Sequence, residues 1–353
     1  MFLKLSSFAI TACLLAVILY GCCEKEPAAS RGMYYWKNTA SELTIQEEAT
    51  LSKLKVKKLY IKFFEVSGSD GSKPVPDAKT TLRFDAAQKA KLSATEIVPV
   101  VFVRNEVLKK TTLAAIHELA GNIVFLVKKY YGERFQLNGQ SLLSELQIDC
   151  DWTPSTKDNY FLLLREIKKQ SSLELSCTLR LYPYKYPKEM GIPPVDRATL
   201  MCYNLIHPLD FEDRNSILET SELEKYLRGV AAYPLELDVV LPVFSWMHIY
   251  RSRQFSGMLS RNAGELEGSI KKIRPMWYEV TRETSVDGRF LKPGDLLKFE
   301  EVTPAEIHKA IKLLKKNIRF GTNSTLSLYH LDKNMLQNNS YENLESFYTD
   351  FSR

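Results

Sequence analysis

Apolar residues recur along this chain in two alternating periods. Short runs rich in β-branched and aromatic residues predict strands: β1 at Met33–Lys37, β2 at Lys58–Val66, β3 at Ile97–Val103, β4 at Leu146–Trp152, β5 at Leu173–Tyr182, β6 at Ala198–Leu205, β7 at Leu237–Ser245 and β8 at Thr325–Leu331. Between them, apolar positions at helical spacing predict helices near Ile45–Leu54, over Thr111–Tyr131, after Thr153-Pro154-Ser155, from Thr303 to about Asn317, and near Tyr341–Phe351. Proline is tolerated in a first turn, and Thr303-Pro-Ala-Glu306 has the spacing of a capping box. Strands that alternate with helical returns mark a parallel sheet with crossover helices. Eight of them make an α/β chain folded as a (β/α)8 TIM-like barrel the simplest architecture. Residues 251–302 fit no such unit. Turn signals at Asp287-Gly288 and Pro293-Gly294-Asp295 predict a β-rich insertion there, after β7.

The N-terminus has a separate logic. Lys4 precedes a twelve-residue apolar run, Phe8–Leu19. A bilayer span needs about 20 residues, so the run is too short to cross and suits the core of a secretion signal. Leu19-Tyr20-Gly21-Cys22 then resembles the bacterial lipobox. That resemblance implies a signal peptide over residues 1–21 and diacylation of Cys22. Residues 22–32 would be a lipidated, polar tether, with the barrel over 33–353. The expected location is the bacterial cell envelope, with the membrane reached through the lipid on Cys22.

Composition narrows the picture only slightly. Hydrophobic content of 45% and charged content of 25% fit a packed globule. Loss of Lys4 with the signal lowers the net charge of +6 to +5, spread along the chain, which does not point to nucleic acid. Cys23, Cys150, Cys177 and Cys202 lack CxxC spacing, and the last three sit in apolar strand runs as small buried hydrophobes. His117, His207, His248, His308 and His330 show no ligand spacing, so no metal is expected. There is no glycine-rich phosphate loop and no G-x-S-x-G elbow, and no cofactor is expected.

Three strands carry a family resemblance. Gln147-Ile-Asp-Cys-Asp-Trp-Thr153 resembles the strand-4 motif D-x-D-x-E of the chitinase-like glycoside hydrolases, at Asp149, Asp151 and Thr153. Met201-Cys-Tyr-Asn204 resembles their M-x-Y-D on strand 6, and Val239–Ser245 is similar to their strand-7 run. Their insertion falls where residues 251–302 fall. The likeness spans about residues 33–332 and implies a barrel that acts on a glycan, with Asp149, Asp151 and Tyr203 in catalytic positions and Asn204 among the substrate contacts. One departure matters more than the matches. The family's general acid is replaced by Thr153, whose hydroxyl cannot protonate a leaving oxygen usefully near neutral pH. The last Asp of the strand-6 motif is also changed, to Asn204. Either another carboxyl is the acid, with Glu65, Glu300 and Asp332 as candidates, or the barrel binds without cutting.

Side-chain parity views the same place independently, because successive strand residues face opposite sides. On β4, Leu146, Ile148, Cys150 and Trp152 should face the helices, and Gln147, Asp149 and Asp151 the lumen. On β2, Leu59, Ile61 and Phe63 face out, with Tyr60, Lys62 and Phe64 inward. On β5, Leu179 and Leu181 face out, with Thr178, Arg180 and Tyr182 inward. Asp149 is therefore expected within ion-pair distance of Lys62 or Arg180, and these three could equally be a structural network that neutralises itself. Barrel sites lie at the C-terminal ends of strands, which favours Asp151, Tyr182 and Tyr203, although Tyr203 could be an ordinary core tyrosine. Aromatics gather near those ends: Tyr34-Tyr35-Trp36, Trp152, Tyr182-Pro-Tyr184-Lys-Tyr186 and Trp246. The three tyrosines at 182–186 are hard to bury together, and flat rings can stack on sugars. Trp36, Lys62, Arg180, Tyr182, Asn204 and Trp246 are the expected substrate contacts. The reading is an envelope lipoprotein with a glycoside-hydrolase-like barrel acting on or recognising a glycan; the alternative is a non-catalytic glycan-binding or structural lipoprotein. A second free carboxyl near Asp151 in an open groove favours an enzyme, aromatics without one favour binding, and a closed lumen favours structure.

Overall fold

The computed structural model describes residues 29–68, 74–109, 111–136, 143–207, 213–230, 232–259 and 263–352. The expected secretion signal over residues 1–21 and the expected lipidation site at Cys22 lie outside them. Eight parallel strands close into a ring: β1 Ser30–Tyr35, β2 Lys58–Ser67, β3 Glu96–Val103, β4 Glu145–Asp149, β5 Glu174–Arg180, β6 Arg197–Met201, β7 Glu236–Pro242 and β8 Thr325–Tyr329. Pairing of β1 with both β2 and β8 completes the barrel. β1 starts at Ser30, ahead of the expected Met33, so Ser30, Arg31 and Gly32, expected to lie before the barrel, join the ladder beside Thr325–Ser327. Gly32 is required for that approach, since a Cβ there would lie 2.1 Å from the Ser327 Oγ.

Most of the apolar core lies between strands and helices. Leu146, Ile148 and Cys150 pack with Tyr160, Leu163, Leu164 and Ile167 of helix Lys157–Gln170. That helix begins later than Thr153-Pro154-Ser155 suggests, because these residues form a turn first, with the Thr156 and Lys157 N–H groups donating to the Thr153 carbonyl. Thr303 and Glu306 form the anticipated capping box on helix Pro304–Asn317, and Thr44 and Glu47 form another on helix Ile45–Lys53.

The lumen holds a smaller cluster of Tyr34, Tyr60, Val98, Val100 and Val240. Parity holds on β4 and fails once on β2. There the register passes from Lys62↔Val100 to Phe64↔Val101, leaving Phe63 as the extra residue of a bulge. Phe64 therefore joins Phe63 in the outer core, edge-on to Tyr130 at 6.1 Å, and does not face the lumen as alternation predicts. Glu65 turns inward in its place.

Below that cluster, at the N-terminal ends of the strands, the lumen is plugged by charge. Arg197 grips Asp238 through Nε and Nη2 at 2.8 Å each, and Asp238 also accepts from the Thr325 N–H at 2.6 Å. Lys58 pairs with Glu145 at 2.6 Å, and the Ser176 hydroxyl donates to the same carboxylate. Both carboxylates are fully buried.

The insertion is a five-stranded antiparallel sheet of Trp246–Arg251, Gln254–Leu259, Ile270–Arg274, Trp277–Val280 and Leu296–Glu300. It has its own core of Met247, Ile249, Leu259, Leu266, Val280, Leu291, Leu297 and Phe299. Its first strand begins at Trp246, the residue just past the expected end of β7 at Ser245 and five residues before the expected start of the insertion. Trp246 stands opposite Glu300, so the insertion leaves and rejoins the barrel at neighbouring points.

Candidate functional site

A cleft of about 310 Å³ opens at the C-terminal ends of the strands. Strand ends and the segments just past them supply its lining: Trp36 after β1, Glu65 on β2, Phe102 on β3, Asp149 and Asp151 at and beyond the end of β4, and Arg180 and Tyr182 around the end of β5. Tyr203 and Asn204 follow β6, and Tyr329 ends β8.

Asp149 sits on the floor and accepts from the Thr178 hydroxyl at 2.6 Å. Burial pushes its carboxyl up to about 7; the Thr178 hydrogen bond pulls it down, and the nearby Asp151 charge pushes it further up. Among the described residues no cation lies within ion-pairing distance of Asp149, which corrects the expected pairing with Lys62 or Arg180. The bulge on β2 brings Glu65 to Lys62 at 2.7 Å, and Lys62 also lies over the Trp36 ring at 5.3 Å. Arg180 reaches past the strand end to Asp151 at 3.5 Å. Burial favours a raised Glu65 pKa, but hydrogen bonds from Lys62 and from Arg104 at 3.0 Å outweigh it and hold the carboxyl below its usual range. Asp151 and Arg180 are half exposed, so the pair can exchange its mutual contact for a ligand at little cost.

The other candidates divide. Tyr203 stacks on Tyr329 with centroids 5.1 Å apart, and burial raises its pKa well above the ordinary value. Asn204 is exposed, with a left-handed backbone (φ 53°), and its N–H donates to the Ile217 carbonyl. Tyr182 is exposed and donates to the Glu189 carboxylate at 3.1 and 3.2 Å. Trp246 is not part of the lining; its indole N–H donates to Glu300 at 2.6 Å at the foot of the insertion. Lys62 does not line the cleft; it contacts Glu65 and Trp36, which do, and its charge also favours the ionised form of Asp149. Trp152 is buried against Tyr160 and Phe161. Tyr184 is also buried, so the 182–186 run is only partly exposed.

Thr153 does not line the cleft. Its hydroxyl is engaged by Ser155 at 2.9 Å and by Thr156 at 3.2 Å within its own turn. Of the three alternative acids, Glu65 lines the cleft. Glu300 is buried beside Lys298 at 2.6 Å, and Asp332 caps helix Lys333–Asn338 by accepting from the Met335 N–H at 2.7 Å. Sequence reasoning missed Phe102, Tyr226 and Tyr329 in the lining. Tyr329 was findable, since Leu326 and Leu328 face the helices and alternation then turns Tyr329 inward. Among the described residues, no group of three His, Cys, Asp or Glu side chains could hold a metal ion, and Cys150, Cys177 and Cys202 are free and buried.

No protein-family model matches the chain, and no curated protein sequence does. Solved structures of similar fold include a chitinase-like agglutinin from Robinia pseudoacacia, at 14% identity and TM-score 0.46, covering 91% of this chain and 99% of that one. A chitinase from Ipomoea carnea follows at 9% identity and TM-score 0.45, covering 90% and 100%. A GH113 β-mannanase from Alicyclobacillus acidocaldarius stands at 10% and 0.44, covering 92% and 97%. These likenesses add nothing to what the strand order already shows, an eight-stranded parallel barrel.

Proposed function

We propose that this protein is a lipid-anchored protein of the bacterial envelope whose barrel recognises a glycan in the cleft. The observation that carries the reading is the exposed Asp151–Arg180 pair set among aromatic side chains at the C-terminal end of the barrel. The pair offers charged acceptors and donors to hydroxyl groups, and such hydrogen bonds are roughly twice as strong as neutral ones. Trp36, Tyr182 and Tyr203 offer flat apolar area to the apolar C–H face of a sugar ring.

The test is a glycan array, followed by affinity and melting measurements on Asp151→Asn and Tyr203→Phe. Asp151 is half exposed, so its near-isosteric replacement should leave melting unchanged while weakening the best glycan about tenfold or more. If both variants bind as tightly as the parent, the ligand lies elsewhere. The anchoring half of the proposal is read from the mass of the mature N-terminus, expected to be a diacylated Cys22. Two acyl chains give firm attachment where one is marginal. A mature chain that starts elsewhere, without lipid, refutes it.

One observation favours a second reading, cleavage of the bound glycan. Burial raises the Asp149 carboxyl to about 7, and Asp151 lies two residues along the chain, so two carboxyls could flank a scissile bond. Reducing-end release from the best-binding glycan between pH 5 and 8, abolished in Asp149→Asn, would support it. A parent that releases none across that range leaves recognition alone.

A further inference from the structure

Past Tyr182, at the edge of the cleft, a second tyrosine ring is exposed. The Tyr182 and Tyr186 rings lie 4.7 Å apart and are exposed to 43% and 42%. Tyr186 lines a second groove of about 450 Å³ with Pro187, Val230, Tyr233 and Pro234. The facing wall continues too: Tyr226 on helix Thr220–Leu227 borders the cleft, and Gly229 and Val230 just past that helix border the groove. Between the exposed rings, Tyr184 is buried and packs on Tyr233 at 5.6 Å, which pins helix Leu181–Lys185 in place. The carboxylate of Glu189 holds the Tyr182 hydroxyl, so the ridge of two rings is set before any ligand arrives.

We infer that the groove is a second subsite for the same glycan, and that the ligand is therefore an extended chain of several sugar units crossing Tyr182 and Tyr186. This rests on the glycan reading of the cleft. Small-ligand pockets occupy about 300–1,000 Å³, so each space alone is modest and the two together suit an oligomer. The groove is largely apolar; of its charged side chains, Lys185 donates to the Lys225 carbonyl and Glu189 accepts from Tyr182, which leaves Lys188, next to Glu189 in the chain, and the buried Tyr233 hydroxyl as polar groups open to a ligand. That lining fits the flat faces of neutral sugars better than a phosphate or a lipid headgroup. Two exposed rings in sequence offer successive units one face each.

The test uses the full chain and β-1,4-linked disaccharides and hexasaccharides of glucose, mannose and N-acetylglucosamine, with calorimetry on the parent, Tyr186→Ala, Tyr186→Phe and Asp151→Asn. At least one hexasaccharide should bind about tenfold more tightly than its disaccharide. Tyr186→Ala should lose that gain while leaving the disaccharide unchanged, Tyr186→Phe should keep it, and Asp151→Asn should weaken both lengths. Equal parent affinity for the two lengths, or full hexasaccharide affinity in Tyr186→Ala, overturns the subsite while the cleft reading stands. Weakening of both lengths in Tyr186→Ala, with a lowered melting temperature, also overturns it, by making Tyr186 structural. If no member of the panel binds the parent, the cleft reading fails and the subsite falls with it.

Discussion

Arg197→Ala is expected to lower the unfolding free energy by about 3–5 kcal/mol. Asp238 has no exposure to solvent and receives two guanidinium hydrogen bonds at 2.8 Å, plus the Thr325 N–H. Truncation leaves that carboxylate desolvated among Glu145, Glu174 and Glu236, whose charges no longer meet the guanidinium. The pair as a whole need not be stabilising, because burying two charges costs several kcal/mol per ion before their attraction offsets it. The double variant Arg197→Met with Asp238→Leu should therefore be less damaged than Arg197→Ala alone. Urea denaturation of the three proteins checks this. A loss below about 1 kcal/mol in Arg197→Ala would show that water reaches the plug.

Asp149→Asn should make the protein progressively more stable than the parent as pH rises from about 4 to about 8. The folded carboxyl titrates at about 7, well above its unfolded value of 3.8. Below the lower value both states are protonated, and the folded state keeps its full advantage. Between the two values the unfolded chain releases the proton while the folded chain retains it, so parent stability falls by up to about 1.4 kcal/mol per pH unit. Contact with the open cleft reduces that slope, leaving a total on the order of 2 kcal/mol. The amide has no such titration and can still accept from Thr178. Denaturation midpoints at pH 4.5, 6 and 8 report the difference directly. Parallel curves for the two proteins would mean that Asp149 is ionised in the fold throughout.

The barrel was legible because its information is local and repeated. Each strand announces itself through period, and the return of a helix after it fixes the parallel sense. Strand ends were less legible. β4, β5 and β6 each stop a few residues before the apolar pattern does, because Trp152, Leu181 and Leu205 continue into the helix layer after the ladder has ended. Parity found that Asp149, Asp151, Arg180 and Tyr182 share one place, but it could not fix their partners. A single extra residue at Phe63 redirected Glu65 to Lys62, and two consecutive phenylalanines give no hint of a bulge. The buried ionic plug was also within reach, since Arg197 and Thr199 alternate with Ala198 and Leu200 on β6. It lies at the ends of the strands where ligands are not usually sought.

The insertion bears on the order in which the molecule can assemble. β7 ends at Pro242 and β8 does not begin until Thr325, so the strand that closes the ring must find its neighbours across a long stretch of chain. Closing a flexible loop costs entropy that grows with its length, and non-local pairings form slowly for that reason. A folded insertion removes residues 246–300 from that loop, because Trp246 and Glu300 are already side by side in its sheet. With its own apolar core, the insertion can act as a clasp that forms early and delivers helix Pro304–Asn317 and β8 to a nearly completed ring. Its contribution to this protein then lies in the rate of barrel closure as much as in any surface it presents.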